Sequence, residues 1–392
     1  MQVVHCITGL TPDGAQRMLL RLAEQLQRRG VRNHVVSLGR REPFAEMFEE
    51  RGIEVFSLGM GQGLSFLQFL RGLQALRKII RTLNPDILQG WMYHANFALS
   101  LVRPTITPQL PIVWNIRRGL DDYSDRKFLT RAMIRTNARM SYGVSRVIYC
   151  TEESRVQHEE YGFDASGSVV VGNGFDAQKF RPRPEARAAV RSKLSLDSDT
   201  TLIGNVGRYD SAKGKNYLLD AFAMVHQRNP KTHLVLVGRG MTPDNSQLRV
   251  RVQEIGLSSA VTLYGEVGAM EEMYPAFDVM CSSSVNEGFP NVIAEAMLSG
   301  VACVATDVGN TRRLLDGIGI VVAARSVKSL ADGLGAMCER GPEARGEAGR
   351  YGRERISRLY SLEGIGHQYA KLYSSLVGRG EKEAFFAQKA TI

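Results

Sequence analysis

Along the chain, short runs that are apolar throughout alternate with longer stretches whose apolar residues recur at three- and four-residue intervals. The first run covers 3–8 and is followed by Gly9-Leu10-Thr11-Pro12-Asp13-Gly14. Next comes a stretch in which Leu19, Leu22, Ala23 and Leu26 keep helical spacing, closed by Gly30. Strand, turn, helix and C-terminal glycine are the reading that this order dictates. The runs 33–38, 53–58, 86–89 and 111–115 predict further strands with helices between them, notably over 65–82. Strands that are apolar on both faces and separated by helices predict a parallel sheet covered on both sides.

A second series starts after Val169-Val170-Val171-Gly172-Asn173-Gly174. Strand 201–206, helix 216–228 and strand 233–237, ending in Gly238-Arg239-Gly240, open it; 247–255, 261–264, 279–282, 292–298 and 301–306 continue the alternation. The expected architecture is therefore α/β, with two doubly wound parallel-sheet domains at 1–172 and 173–356. The stretch Arg181-Pro182-Arg183-Pro184, just beyond the junction, resists regular structure. The final part, 357–392, holds an amphipathic helix at 362–376 and a polar, frayed end from 378. In open α/β sheets ligands bind beyond the carboxyl ends of the strands. Two such sheets facing across a cleft suit an enzyme that holds two substrates.

Composition narrows the class. With 44% hydrophobic and 23% charged residues among 392, the chain is an ordinary globular one, not a disordered or fibrous one. Its five cysteines are scattered and form no CxxC pair, which argues against a disulfide framework and a cysteine-built zinc site and points to a reduced cytosol. No run reaches the ~18 consecutive apolar residues of a membrane-spanning helix, and the first residues read as a strand rather than a signal peptide. The formal charge is +10. Eight basic residues (Arg117, Arg118, Arg126, Lys127, Arg131, Arg135, Arg139 and Arg146) stand against Asp121, Asp122 and Asp125 within 117–146. Arg131, Arg135 and Arg139 fall on one helical face. That face is either plainly solvated or fits an anionic membrane surface or a phosphate-bearing substrate. No zinc-finger spacing, RNP motif or long basic run points to nucleic acid.

Two constellations carry chemistry. Gly204-Asn205-Val206-Gly207-Arg208-Tyr209-Asp210-Ser211-Ala212-Lys213-Gly214-Lys215-Asn216 sets strand, glycine and arginine, then lysine and glycine, before a helix. Arg208 offers a bidentate fork and Lys213 a mobile point charge, a pairing suited to a diphosphate. The string is neither a GxxxxGK[ST] phosphate loop nor a GxGxxG fingerprint. The second is Ser282-Ser283-Ser284 followed by Glu287-Gly288-Phe289-Pro290-Asn291-Val292-Ile293-Ala294-Glu295. Backbone amides at the start of that helix can meet ligand oxygens. Glu287 can accept from polyol hydroxyls, and Glu295 can reach a ribose diol. Read alone, Glu287 and Glu295 are equally a first-turn dipole partner and a surface helix residue. His94, in Trp91-Met92-Tyr93-His94-Ala95-Asn96, follows a strand end and is a candidate polar residue of the cleft; His158 reads as structural.

Asn173-Gly174-Phe175-Asp176, Gly207-Arg208, Lys213-Gly214, Gly238-Arg239-Gly240 and Glu287 to Glu295, in this order, resemble the retaining glycosyltransferases of family four. That resemblance implies the GT-B arrangement of two Rossmann-like domains, with the last helix crossing back onto the first. It implies that Arg208 and Lys213 hold the diphosphate of a nucleotide-sugar. Glu287, with the amides near Gly288 and Phe289, would meet the donor sugar, and Glu295 the ribose; Gly207 and Asn291 belong to the same donor set. Gly14 stands where the family has a glycine pair. Arg117 stands where many relatives have a histidine near sugar and phosphate, so an arginine there would neutralise the leaving diphosphate. Trp114-Asn115-Ile116-Arg117 looks like the subgroup that builds bacterial surface polysaccharides. The expectation is a retaining sugar transfer to a saccharide or lipid-linked acceptor, at the inner face of a membrane, with no metal ion or other cofactor. A sugar-nucleotide epimerase and a non-catalytic membrane-docking scaffold are the rival readings.

Overall fold

The structure is a computed structural model that describes residues 1–61, 65–120, 123 and 128–378. The chain forms two compact units. One comprises residues 1–174 together with the chain from 362 onward, and the other comprises 175–361. Physical contacts explain why the crossings fall there, slightly later than the apolar pattern alone placed them. Phe175 pairs with Ser361 in a parallel bridge, its amide donating to the Tyr360 carbonyl at 2.9 Å. Gly174, one residue earlier, presses against Leu362, where an added Cβ would lie 3.0 Å from the Leu362 Cα.

The first unit is built on seven parallel strands: β1 (Gln2–Ile7), β2 (Arg32–Ser37), β3 (Glu54–Ser57), β4 (Ile87–Trp91), β5 (Ile112–Ile116), β6 (Arg146–Tyr149) and β7 (Ser168–Val170). Their order is β3-β2-β1-β4-β5-β6-β7. The second has six: β8 (Thr201–Val206), β9 (Thr232–Val237), β10 (Val261–Gly265), β11 (Val279–Ser282), β12 (Ala302–Thr306) and β13 (Ile320–Val322). They are ordered β10-β9-β8-β11-β12-β13. Both sheets therefore reverse direction at one point, between β1 and β4 in the first and between β8 and β11 in the second. At such a point the connecting loops part and leave a crevice at the carboxyl ends of the strands.

Alternation along the strands builds two cores in the first unit. Val3, Ile7, Val35, Ile87, Trp91 and Val113 face the helix Gly14–Gln27 and the returning helix Leu362–Leu376. Val4, Cys6, Val36, Leu88, Ile112 and Trp114 face the other side. The returning helix completes the first core with Ile365, Tyr369 and Tyr373, all at most 2% exposed and spaced for one helical stripe. Gly366 lets it approach the helix Gly14–Gln27 closely, because a Cβ there would sit 2.8 Å from that of Gln25. The second unit has a core of the same kind, with Ile203, Leu234, Leu236, Val279 and Val304 from the sheet and Leu218, Phe222 and Leu334 from its helices.

All five cysteines are buried and unpaired, and burial pushes the Cys281 thiol up to about 12. Among the described residues no helix is long and apolar enough to cross a membrane. Of the basic stretch, Arg126, Lys127, Asp121, Asp122 and Asp125 lie outside the described residues, as does the chain beyond 378.

Candidate active site

The reversal point of the second sheet is where the two chemical constellations meet. Gly207-Arg208 leaves the end of β8 and Ser283-Ser284 leaves the end of β11, so the strand order alone sets these two loops side by side. They are laced together: the Val285 amide donates to the Ala212 carbonyl at 2.8 Å, and Ser283 Oγ donates to the Lys213 carbonyl at 2.9 Å. Gly214 makes this possible. Its φ is +59°, in the left-handed region, and a Cβ there would lie 2.0 Å from the Ser283 carbonyl oxygen.

Held this way, Lys213 Nζ donates to Glu287 Oε1 at 2.5 Å, and Ser284 Oγ donates to the same oxygen at 2.8 Å. The side chains are 24% and 13% exposed, so the pair sits at the mouth of the crevice rather than in the interior. Arg208 is more open; its Nε lies 3.5 Å from Asp210 Oδ2, while Asp210 Oδ1 caps the turn by accepting from the Ala212 amide at 2.9 Å. These partners correct one expectation. In sequence the two cations have no evident structural partner; in the fold each stands beside a carboxylate, and that of Lys213 is Glu287 itself.

Glu287 lies in the loop before the helix Asn291–Leu298, and Gly309 packs against its carbonyl and that of Gly288. The Phe289 ring is buried between Phe175 and Tyr360, at centroid distances of 5.8 and 5.4 Å. Phe289 therefore offers a ligand its backbone alone. Glu295, inside the helix, accepts a hydrogen bond from Tyr274 Oη at 3.0 Å through Oε2, which fixes its direction.

A residue that stands in the first string without an assigned role lies beneath this loop. Lys215, the first residue of the helix Lys215–Arg228, is 4% exposed, and its ammonium donates to Asn205 Oδ1 inside β8. Asn205 in turn donates from Nδ2 to the Cys281 carbonyl of β11 at 2.7 Å. Burial, with Lys213 nearby, lowers the Lys215 ammonium to about 7. The signal in the sequence was the polar Asn205 within an apolar strand, which in a sheet covered on both faces must find a buried partner.

In the first unit the corresponding loops follow β1 and β4. Gly14 begins the helix Gly14–Gln27 and is exposed. The loop before it is already engaged: Glu42 accepts from the Leu10 amide, and from Thr11 Oγ1 at 2.9 Å. His94 is exposed in the first turn of the helix Met92–Val102. His158 is wholly buried between Tyr93 Oη and the Ser154 carbonyl, at 2.8 and 2.6 Å, in keeping with a structural role.

Arg117 is engaged within its own unit. Its guanidinium donates to the Val171 carbonyl at 2.8 Å, to Asn173 Oδ1 at 3.3 Å and to Tyr369 Oη, and lies over the Trp91 ring 5.6 Å from its centroid. That fork ties β5, the end of β7 and the returning helix together. Its geometry is that of a clamp within the unit. Among the described residues no group of three His, Cys, Asp or Glu side chains is placed to hold a metal ion.

Two doubly wound units with matching strand orders, the second carrying a basic, carboxylate-bearing crevice, define a protein of the GT-B class. Family profiles agree: residues 12–179 match "Glycosyltransferase Family 4" and residues 200–340 match "Glycosyl transferases group 1". The chain is 30% identical over 392 residues, 95% of each protein, to the phosphatidyl-myo-inositol mannosyltransferase of Mycobacterium tuberculosis. It is 29% identical over 217 residues, 54% of this chain and 61% of the other, to the lipopolysaccharide core biosynthesis mannosyltransferase LpsB of Rhizobium meliloti. Among solved structures, Anabaena HepE in complex with UDP superposes with a TM-score of 0.84 at 21% identity, covering 96% of this chain and all of that one. WaaG, a glycosyltransferase involved in lipopolysaccharide biosynthesis, gives 0.73 at 16% identity, covering 95% of this chain and 99% of that one. The chain belongs to glycosyltransferase family 4, and it is a glycosyltransferase with the GT-B fold.

Proposed function

We propose that the protein moves a sugar from a nucleotide-diphosphate donor to an acceptor hydroxyl with retention of anomeric configuration, the second unit binding the donor and the first the acceptor. The observation that carries this reading is the Lys213–Glu287 pair, set beside Gly207 and Arg208 where the second sheet reverses. Arg208 and Lys213 meet the diphosphate, Glu287 and the amides of Gly288 and Phe289 meet the sugar, and Glu295 meets the ribose, with Asn291 at the helix start beside them. On donor binding Lys213 exchanges Glu287 for phosphate oxygens, which frees the carboxylate for sugar hydroxyls. The acceptor attacks the face that the diphosphate leaves, and the departing phosphate takes its proton. Positioning and stabilisation of charge on the leaving group lower the barrier. The cations are the protein's own, so the reading needs no metal ion. HepE with UDP and the mannosyltransferase relatives support a nucleotide-sugar donor and an acceptor in bacterial glycolipid or polysaccharide synthesis.

The test is a thermal-shift screen against UDP-, GDP-, ADP- and dTDP-sugars, followed by NMR of the product formed on a lipid-linked acceptor. A ligand that binds only the folded state raises its melting temperature. A screen in which no nucleotide-sugar raises it would overturn the donor site, and a product of inverted configuration would overturn retention.

The two carboxylates are expected to separate by role. Glu295→Gln raises KM for the donor and weakens the free nucleotide diphosphate, since a ribose contact is made equally in ground and transition states. Glu287→Gln lowers kcat and leaves nucleotide diphosphate affinity nearly unchanged. Calorimetry beside steady-state kinetics checks this, and the reversed pattern refutes it.

We further propose peripheral docking of the first unit on an anionic membrane at the inner face of the cell, where a lipid-linked acceptor resides. The helix Phe128–Met140 exposes Phe128 (74%) and Leu129 (79%) in its first turn and Arg135 and Arg139 farther along, while Ile134 and Ala138 pack inward and Arg131 is half-buried. Across the helix Met92–Val102, the helix Phe66–Leu83 repeats the design with exposed Phe66 and Leu67, then Arg71, Lys78 and Arg81. Basic residues near an anionic surface contribute about 1 kcal/mol each. Phosphatidylglycerol vesicles should therefore co-sediment the protein at low salt, neutral vesicles should not, and Arg131→Glu/Arg135→Glu/Arg139→Glu should abolish the difference. Equal binding to both vesicle types would leave the stripe a solvated face.

A further inference from the structure

One charge at the donor site is not explained by the contacts assigned above. Lys215 is buried under the Gly207-Arg208 turn, and a Cβ built on Gly207 would lie 3.6 Å from its Nζ and 3.7 Å from Lys213 Cδ. The ammonium thus sits directly behind backbone that carries no side chain, at the first turn of the helix Lys215–Arg228. Its hydrogen-bond partner is neutral, the Asn205 carboxamide oxygen. The charged and titratable groups around it are Lys213 in the turn before the helix, Glu287 in the loop after β11, and the Cys281 thiol of β11. Glu287 is tied to Lys213, so the pair contributes little net charge, and Cys281 is held neutral by burial. A methionine would fill the same space without desolvating a charge, but it would leave the buried Asn205 Oδ1 without its donor. A lysine there satisfies Asn205 and also sets an ionisable amine directly behind the Gly207 backbone.

We propose that Lys215 is a proton-linked positioning residue of the donor site: binding of the nucleotide-sugar diphosphate draws a proton from solvent onto its amine, making it a third cation beneath the phosphate loop. This rests on the donor-site reading above and adds to it a regulation by pH. The physical reason is the balance of two terms. In the unliganded protein, burial disfavours the ammonium and lowers it to about 7, so that near neutrality it is only partly charged. Two phosphate charges on the far side of Gly207 favour the ammonium and raise it again. By linkage, a group whose affinity for protons rises on binding makes binding tighter at low pH and weaker as pH climbs through its unliganded value. With that value near 7, donor affinity falls about tenfold between pH 6 and pH 8. Nucleotide-sugars suit the measurement because both of their phosphates are esterified and neither titrates in this range.

The experiment is isothermal titration calorimetry of the full chain with UDP-glucose, GDP-mannose, ADP-glucose and dTDP-glucose, each in phosphate and in Tris at pH 7. The two buffers differ in ionisation enthalpy, so the difference in apparent heat counts protons taken up. About half a proton should be taken up per nucleotide-sugar bound, rising toward one at pH 8. Lys215→Met should bind with no uptake and a flat pH profile from 6 to 8. Arg208→Ala should weaken binding at every pH and keep the uptake. Equal heats in the two buffers for the wild type would overturn the role of Lys215 while leaving the donor site standing, and so would an undiminished uptake in Lys215→Met. Failure of all four nucleotide-sugars to bind at millimolar concentration would overturn the donor site and this inference with it. The wild-type comparison needs no variant, so a Lys215→Met chain that does not fold leaves the test intact.

Discussion

Arg208→Ala and Lys213→Ala should each lower kcat/KM for the nucleotide-sugar by a factor on the order of 10²–10³, since removing one donor from a developing anion costs several kcal/mol in such sites. Their effects on folding should differ. Arg208 is 45% exposed, and its contact with Asp210 is a surface ion pair, worth about 0–1 kcal/mol. Truncating it should leave the melting temperature nearly unchanged. Lys213 is the counter-charge of Glu287, whose side chain is only 13% exposed, and its loss leaves that carboxylate to the neutral hydroxyl of Ser284. Lys213→Ala should therefore cost about 1–3 kcal/mol of stability as well. Replacing Glu287 by Gln in the same chain should return part of that loss, because the unpaired charge is gone, while turnover stays low. Denaturant titrations beside steady-state kinetics for the two single variants and Lys213→Ala/Glu287→Gln read both effects. Near-normal kcat/KM in both single variants would remove the diphosphate from this loop.

What was legible in the sequence was whatever is encoded locally. Apolar runs such as 201–206 and the helical stripe through Leu19, Leu22, Ala23 and Leu26 mark elements because burial and periodicity act over a few residues. Three short strands were not legible. Ser168–Val170 and Ile320–Val322 are three residues long at the sheet edges, and Arg146–Tyr149 opens with a charge, so none presents enough apolar pattern. The stretch Arg181-Pro182-Arg183-Pro184 misled in the opposite direction. Pro184 starts a helix through Lys193, a position where the missing amide proton costs nothing. The pairing of Lys213 with Glu287 spans 74 residues and depends on β8 and β11 being neighbours, which a strand list without an order does not contain. The partners of Arg117 are hidden for the same reason: Tyr369 lies 252 residues away, on a helix whose docking face the local string near 117 says nothing about.

That helix gives the other large expected effect. Tyr369→Ala and Tyr373→Ala should each destabilise the first unit by about 3–5 kcal/mol, the range for emptying a fully buried aromatic site. Both rings are 0% exposed, and both hydroxyls are engaged: Tyr369 accepts from Asn115 Nδ2 at 2.8 Å and from Arg117, and Tyr373 donates to Gln89. Tyr369→Phe separates the two contributions. It keeps the ring and orphans two buried donors, for a loss of about 1–3 kcal/mol. Loss of the segment from 362 onward should prevent the first unit from folding, because Ile365, Tyr369 and Tyr373 all leave its core together. The sequence provides a selective probe for this. Its two tryptophans, Trp91 and Trp114, both lie in β4 and β5 of the first unit. Tryptophan fluorescence in urea therefore follows that unit, while the nucleotide-sugar shift of melting temperature follows the other. Tyr369→Ala should move the fluorescence midpoint to lower urea and leave nucleotide-sugar binding to the second unit in place. An unmoved fluorescence midpoint would mean that the returning helix lies on the first unit without stabilising it.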